Sequence, residues 1–345
     1  MTIQRIMPFD RTTFGTLLTL VIATMGGWLG HWLAADAGWL LGALLATLAG
    51  AFKGFPLRYA SCLQSGVIVL AGISVGSMLQ PGMLHGMTHW APSLAGLFIS
   101  LLLTITGVTY FLNHYGGCEQ NTSVLAAYPG HMMMIMQLAI QHTCDVHKVT
   151  TIQSLRMLFL VLLLPALAFI WMPEQSTMNE STDYIAFGWL SLAGLAGVVL
   201  ARLLNIPASL LVGAMGGSGL AALSGTSIGV LPDSLKVTIF VLTGAMIGTR
   251  FVNTHWSAIF KILPVALTSM SITMVISAAI AVPVAWITDV PAMQLLLAYS
   301  PGGAEVMSLI ALATGHDPAF VGLHHIVRLL AMAAFFPLLI KFAIR

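Results

Sequence analysis

Two arginines inside apolar segments are the side chains of this sequence best able to do chemistry. Arg156 lies eight residues beyond Lys148, and Arg328 lies ten residues beyond Pro318. If these segments are helices that begin at a membrane surface, both arginines lie about 12–15 Å deep, near the middle of a bilayer. An arginine at that depth costs about 2.5–3.5 kcal/mol, so it needs a partner or a water-filled site. We expect a clamp for a carboxylate, sulfonate or phosphate, whose oxygens match a planar guanidinium; internal salt bridges or carbonyl contacts are the alternative.

Two proline–glycine breaks are the second chemical feature. The tetrapeptides YPGH at 128–131 and SPGG at 300–303 each interrupt an apolar segment. A helix that starts after such a break points unsatisfied N–H groups and a positive dipole at it, and glycine lets a ligand approach the backbone closely. Matched breaks in two halves of a chain indicate a transporter's binding site, whereas tight turns without a ligand are the alternative. The predicted substrate-binding residues are Arg328, Arg156, Ser300, Gly302, Gly303, Tyr128, Gly130 and His131.

Glu305 is the one acidic residue that we expect well inside the hydrocarbon. It follows the second break, and the matching residue of the first half is Met133. An unmatched acid at this depth predicts a site for a coupling proton or cation, with pairing to one of the arginines as the alternative. His324 and His325 lie about one helical turn before Arg328 and are further candidates for proton coupling, although a structural hydrogen bond would also explain each of them.

The composition is that of a membrane protein. The 345 residues include 13 basic and 11 acidic side chains, together 7% of the chain, whereas a soluble domain carries roughly 25%. Hydrophobic residues make up 58%, and the mean hydropathy is +0.95. These values exclude a cytosolic enzyme, a disordered chain and a nucleic-acid-binding protein, because the charge that would solvate a surface or neutralise phosphates is missing. Three scattered cysteines and the lack of a nucleotide-binding loop predict no cofactor, no metal site and no ATPase.

Twelve apolar segments, most of them near the length of a bilayer-spanning helix, follow one another in two sets of six. They are residues 13–34, 38–52, 62–80, 91–113, 122–142, 147–172, 184–204, 206–224, 233–251, 257–287, 291–314 and 318–343. A polar, acidic stretch separates the sets. We therefore predict a first membrane repeat at 1–173, an external linker at 174–183 and a second membrane repeat at 184–345.

The two sets are related by an internal duplication. The string LAAYPG at 125–130 reappears as LAYSPG at 297–302. At the same offset, further identical residues keep their order and spacing: Asp145 and Asp317, Val149 and Val321, Arg156 and Arg328, Pro165 and Pro337, Gly72 and Gly244, and Gly76 and Gly248. Asp145 and Asp317 precede the arginine segments, where we expect them to cap helices.

The basic residues predict the orientation of the repeats, because lysine and arginine concentrate on the cytoplasmic side of a membrane. If segments 122–142 and 291–314 each enter and leave on one side, Lys236, near the start of segment 233–251, is the only basic residue that faces outward. Six full crossings per half would instead place Lys148 and several arginines outside and the acidic linker inside. We predict an all-α polytopic fold of two inverted repeats, with about ten transmembrane helices, two re-entrant broken-helix hairpins and both termini cytoplasmic. A proline-kinked crossing helix is the alternative to each hairpin.

The residues that carry these signals resemble a known family. The stretches SPGGAEVMSLIALATGHDPAFVGLHHIVRLL (300–330), YPGHMMMIMQLAIQHTCDVHKVTTIQSLRMLFL (128–160) and IPASLLVGAM (206–215) are similar to the AbrB-duplication family of bacterial inner-membrane proteins. Members are often labelled putative ammonia monooxygenase or regulator. The resemblance implies a multi-pass protein of the bacterial inner (cytoplasmic) membrane with duplicated halves. The first half departs from the doubled pattern, with Tyr128 and His131 in place of Ser300 and Gly303.

Together these features predict a secondary active transporter rather than an enzyme. We expect alternating access for a small, anionic organic solute, coupled to protons or cations. The expected partners are that solute and the lipid bilayer, without nucleic acid, and the sequence leaves open whether the protein forms a homodimer. A membrane regulatory or scaffold protein is the first alternative, and a metal-dependent membrane oxygenase is the second.

Overall fold

The computed structural model describes residues 11–79, 90–130, 132–170, 183–226, 231–252 and 256–343. In these ranges the chain forms thirteen α-helices and one 3-10 turn, without strands. The helices are α1 Arg11–Phe52, α2 Ser61–Gly76, α3 Ala91–His114, α4 Gln120–Ala127, α5 Met132–Gln141, α6 Val146–Ile170, α7 Tyr184–Leu203, α8 Ser209–Leu223, α9 Asp233–Gly248, α10 Trp256–Thr288, α11 Ala292–Tyr299, α12 Ala304–Ala313 and α13 Pro318–Ala343. His131 and most of the expected linker, residues 174–182, lie outside the described residues.

Seven helical spans in the described ranges are long and apolar enough to cross a bilayer. This agrees with a polytopic helical membrane protein. Three shorter apolar stretches, Ala37–Phe52, Ser61–Gly76 and Ser209–Leu223, coincide with further expected segments. With 15 or 16 residues they are about 24 Å long, less than the ~30 Å of a typical hydrocarbon core. The expected number of ten crossings therefore stays a prediction.

The chain reverses its direction within helix α1. A Cβ atom added to Gly30 would collide with the carbonyl group of Gly38, and one on Gly26 would collide with Gly42. Eight residues of a straight helix span about 12 Å, so these contacts require the chain to fold back between Gly30 and Gly38. This reversal agrees with the separate segments expected at 13–34 and 38–52. The lack of a Cβ atom lets the two limbs pack backbone against backbone.

The chain divides into two compact units, and each unit takes residues from both halves of the sequence. Unit 1 comprises residues 1–71 and 230–256, and unit 2 comprises residues 72–229 and 257–345. Unit 1 therefore holds α1 and α9, and unit 2 holds the other helices from α3 onward. The spatial division differs from the predicted repeats because a repeat is a feature of sequence, whereas a unit is a feature of packing. The repeat boundaries stay a prediction.

Four glycines at duplicated positions make equivalent contacts within the two units. In each contact the Cβ position of a glycine meets a small residue on another helix, so that only glycine permits the close approach. The pairs are Gly244 with Ala43 and Gly248 with Thr47 in unit 1, and Gly72 with Ala214 and Gly76 with Ser218 in unit 2. The small partners are themselves one repeat apart, as a duplicated sequence would place them.

Candidate functional site

Each proline–glycine break separates two short helices of the same lengths. The break at 128–131 lies between α4 and α5, and the break at 300–303 lies between α11 and α12; the first helix of each pair has eight residues and the second has ten. Tyr128 and Ser300 close the first helices in extended conformations, with their N–H groups still donating to the helix. The following proline explains this ending, because it disfavours helical geometry in the residue before it and has no N–H to donate.

The two ends of each broken segment meet. The N–H of Asp145, which follows α5, donates to Thr122 Oγ1 in the first turn of α4 at 3.2 Å. The N–H of Asp317, which follows α12, donates to Gln294 Oε1 in the first turn of α11, also at 3.2 Å. In a continuous helix of about 20 residues these ends would lie roughly 30 Å apart. The segments therefore fold into two helical hairpins, called here the first hairpin (120–141) and the second hairpin (292–313).

Two aspartates cap the helices that carry the arginines, as the sequence indicated. Asp145 Oδ1 accepts the N–H of Lys148 at 2.9 Å. Asp317 Oδ1 accepts the N–H groups of Ala319 and Phe320 at 2.9 and 3.1 Å. Each aspartate thus starts a long helix beside the base of a hairpin, which directs α6 and α13 along the two hairpins.

Arg328 bridges the second break. Its Nη1 donates to the carbonyl oxygen of Ser300 and its Nη2 to that of Gly302, both at 2.7 Å. The residue is 5% exposed, and its Nε has no hydrogen-bond partner among the residues that the structure describes. Because the helix is interrupted here, these carbonyls lack the usual N–H four residues later. The carbonyl contacts that were the alternative to an anion clamp are therefore present, while the clamp itself stays a prediction.

Arg156, the duplicated partner of Arg328, is held more loosely. Its Nη1 lies 3.4 Å from the carbonyl oxygen of Ala127, at the end of α4. Its Nε is buried without a hydrogen-bond partner in the described ranges, although the residue as a whole is only partly buried. The next residue, Met157, brings its Cε to 3.2 Å from the Cβ position of Gly303. Helix α6 therefore reaches both breaks.

Glu305 lies in the first turn of α12, beside the second break. Its Oε1 is 3.1 Å from the Cβ position of Gly303, and the residue is partly exposed. Arg328 is attracted by Glu305 and repelled by Arg156. Among the described residues no ion pair of 4.0 Å or less joins Glu305 to either arginine. The second break thus gathers two positive charges and one negative charge.

Two further predicted binding residues use their hydroxyl groups for hydrogen bonds within the protein. The hydroxyl of Tyr128 donates to the carbonyl oxygen of Met332 at 2.6 Å, and that of Ser300 donates to Leu296 at 2.6 Å. Both side chains are buried. Among the described residues of the two breaks, the partly exposed positions are glycines: Gly130, Gly302 and Gly303. The accessible groups at the breaks are therefore those of the backbone.

His324 lies on α13 and contacts α3. Its Nδ1 is 2.9 Å from the carbonyl oxygen of Phe320, and its Nε2 is 2.9 Å from Ser93 Oγ. Ser93 Oγ also lies 2.8 Å from the carbonyl oxygen of Trp90. The imidazole is fully buried. These contacts fix the ring between two helices, and a role in coupling stays a prediction.

His325 supports the second hairpin, and the first hairpin has an equivalent that sequence reasoning missed. His325 Nε2 lies 3.0 Å from the carbonyl oxygen of Leu297, and its Nδ1 is buried without a partner. Gln153 Nε2 donates to the carbonyl oxygen of Leu125 at 2.8 Å. The two donors and the two acceptors are each one repeat apart. A polar residue at the duplicated position of His325 was the signal that would have singled out Gln153.

Metal ligation has no candidate in the part of the chain that the structure describes, where no three histidine, cysteine, aspartate or glutamate side chains form a group able to hold an ion.

Comparisons with known proteins agree with the resemblance. A protein-family model described as "Transition state regulatory protein AbrB" matches residues 39–344. "Uncharacterized protein YhjN" of Bacillus subtilis (strain 168) is 24% identical over 368 residues, which cover 96% of this chain and 94% of that protein. "Putative regulator AbrB" of Escherichia coli (strain K12) is 25% identical over 320 residues, covering 88% and 89%. The family match spans nearly the whole chain and includes both hairpins and both arginine helices, so this protein belongs to the AbrB family.

Proposed function

We propose that this protein is a secondary active transporter that binds a small, anionic organic solute at the breaks of its two hairpins. The observation that carries the proposal is the convergence of duplicated parts. Helices α6 and α13 each bring an arginine to a break, and Met157 of α6 also contacts the second break at Gly303. Matched helix breaks lined by cationic groups and free N–H groups are a recurrent way to bind an anion inside a membrane.

The hairpin geometry supports a site at membrane depth. A ten-residue limb is about 15 Å long, half of a ~30 Å hydrocarbon core, so a re-entrant hairpin would place its break near the midplane. Interrupted backbone is tolerated there only when protein buries it or water reaches it. The basic residues favour hairpins that enter from opposite faces, which is the inverted-repeat arrangement. One group of helices would then move against the other, so that the breaks face one side of the membrane and then the other.

The two arginines have different capacity for a ligand. Arg328 already uses two of its five N–H groups for carbonyls of the second break. Among the described residues, Arg156 makes one hydrogen bond, of 3.4 Å. The paired N–H groups of Arg156 are therefore the better match for a carboxylate. Glu305 is the proposed site of the coupling proton or cation, since it is partly exposed beside Arg328.

A regulatory role is the second candidate, because one relative is named a putative regulator and the matching family model carries a regulatory name. A regulator needs a partner-binding surface, about 800 Å² on each side for a stable complex. It does not need a solute. A metal-dependent oxygenase is the third candidate, and metal analysis of the purified protein tests it. Binding of a small anion that depends on Arg156 separates transport from both.

The first experiment is a thermal-shift screen of the purified full chain with small carboxylates, sulfonates and phosphates. An anion at about 100 times its dissociation constant adds roughly 2.7 kcal/mol to the free energy of unfolding. We expect this gain to disappear in Arg156→Gln. It should persist in Arg202→Gln, which removes an exposed arginine near the end of α7. No stabilisation by any anion, or equal stabilisation of Arg156→Gln, would contradict the proposed site.

A further inference from the structure

The carbonyl oxygens at the second break are of the kind that binds coupling cations. In transporters with discontinuous helices, the carbonyls of the unwound turn coordinate a coupling cation such as Na⁺. Here the chain leaves the helix at Ser300 and starts the next helix at Ala304. The carbonyls of Ser300 and Gly302 both accept from the guanidinium of Arg328, and the carbonyl of Ser300 also accepts the N–H of Gly302 at 2.8 Å. The place of a bound cation is thus taken by a side chain.

The contact between the guanidinium of Arg328 and these two carbonyls has the geometry of a stable, buried interaction. Both hydrogen bonds are 2.7 Å long, and Arg328 is 5% exposed. Such short distances are typical of charge-assisted bonds. The guanidinium keeps its charge because arginine is not deprotonated in proteins. A metal ion at the same carbonyls would face this permanent positive charge at contact distance, and Arg156 adds a second one nearby.

We propose that Arg328 is a tethered cation that takes the place of a coupling metal ion at the second break, so that the second hairpin needs no Na⁺ and Glu305 is left to couple to protons alone. This inference rests on the proposed function, because it assigns the coupling mode of the same site. The contact between Arg328 and the carbonyls of the second hairpin can be tested without transport. A metal ion would arrive from solution and leave again, whereas the guanidinium stays bound to its own helix.

The test uses the metal alone, with no solute. Thermal unfolding of the purified full chain is measured in sodium chloride and in choline chloride at equal ionic strength. For the wild type we expect the same unfolding midpoint in both salts. Arg328→Ala and Arg328→Gln should gain a saturable stabilisation by Na⁺, because the emptied carbonyls become available to it. Arg328→Lys, which keeps a positive charge, should gain none, and Arg202→Ala serves as the control.

Three results would overturn the inference. One is a saturable, Na⁺-specific stabilisation of the wild type. Another is a folded neutral variant that shows no response to Na⁺. If the neutral variants do not fold in choline chloride, recovery in sodium chloride or folding of Arg328→Lys supports the inference; failure of both contradicts it. Because chloride is constant and no solute is present, this outcome is separate from the anion screen that tests the proposed transport function.

Discussion

The two duplicated arginines should differ sharply in what they contribute to stability. Arg328→Met removes two hydrogen bonds of 2.7 Å from a charged donor. The carbonyl of Ser300 then keeps only the N–H of Gly302, at 2.8 Å, and that of Gly302 loses the guanidinium. Bonds of this kind are worth about 1.5–3 kcal/mol each, so their loss amounts to roughly 3–6 kcal/mol. Removing a buried charge also recovers part of its desolvation cost. We therefore expect Arg328→Met to lower the free energy of unfolding by about 2–5 kcal/mol.

Arg156→Met is the matched control that the duplication provides. The substitution is the same, and the position is one repeat earlier. Among the described residues, the one hydrogen bond of Arg156 is a 3.4 Å approach to the carbonyl oxygen of Ala127. A bond of that length is weak, so the expected loss is about 1 kcal/mol or less. The assay is denaturant or thermal unfolding of both variants in one detergent, with choline chloride as the salt. Equal losses for the two variants, or a negligible loss for Arg328→Met, would refute the assignment of Arg328 to the hairpin carbonyls.

Three further predictions follow from other parts of the molecule. Gly76→Leu should lower the free energy of unfolding by about 1–3 kcal/mol, because the new side chain would collide with Ser218. In the same unfolding assay Gly66→Ala, in open space on the same helix, should be neutral or slightly stabilising. Burial raises the pKa of the Asp317 carboxyl above its ordinary value, so ionisation of this group disfavours the folded state, and the wild type should gain stability relative to Asp317→Asn as pH falls through that pKa. Parallel plots of the free energy of unfolding against pH for the two proteins would contradict this. In a cysteine-free background, Lys148→Cys should react with an impermeant thiol reagent from the cytoplasmic side and Asp289→Cys from the other side; labelling of both from one side would refute the inverted arrangement.

The helices and their breaks were predictable because their causes are local. Apolar runs of nearly bilayer length predicted the segments, and proline with glycine predicted the interruptions at 128–131 and 300–303. The capping role of Asp145 and Asp317 follows from residue type and position at a helix start. Recognition of the family rested on the same local strings, and the comparisons confirmed it.

The partners of the buried polar groups were not predictable, because they depend on distances between segments. Arg328 donates to residues 26 and 28 positions earlier, and nothing in the local sequence distinguishes those carbonyls from an anion. The duplication predicts equal roles for Arg156 and Arg328, yet their contacts differ in number and length. Gln153 was overlooked since glutamine carries no charge, although it supports a hairpin as His325 does.

By itself, then, the sequence determined the class of the protein, its duplicated plan, the positions of the breaks and the two arginines worth attention. These features follow from composition and from short-range rules of helix formation. Only the tertiary structure decided that each broken segment closes into a hairpin. It also decided that, among the described residues, Arg328 makes two short hydrogen bonds to backbone carbonyls whereas Arg156 makes a single one of 3.4 Å. The physical reason is that a buried donor takes whichever acceptor the packing of helices brings within about 3 Å, and that choice is made between residues far apart in the chain.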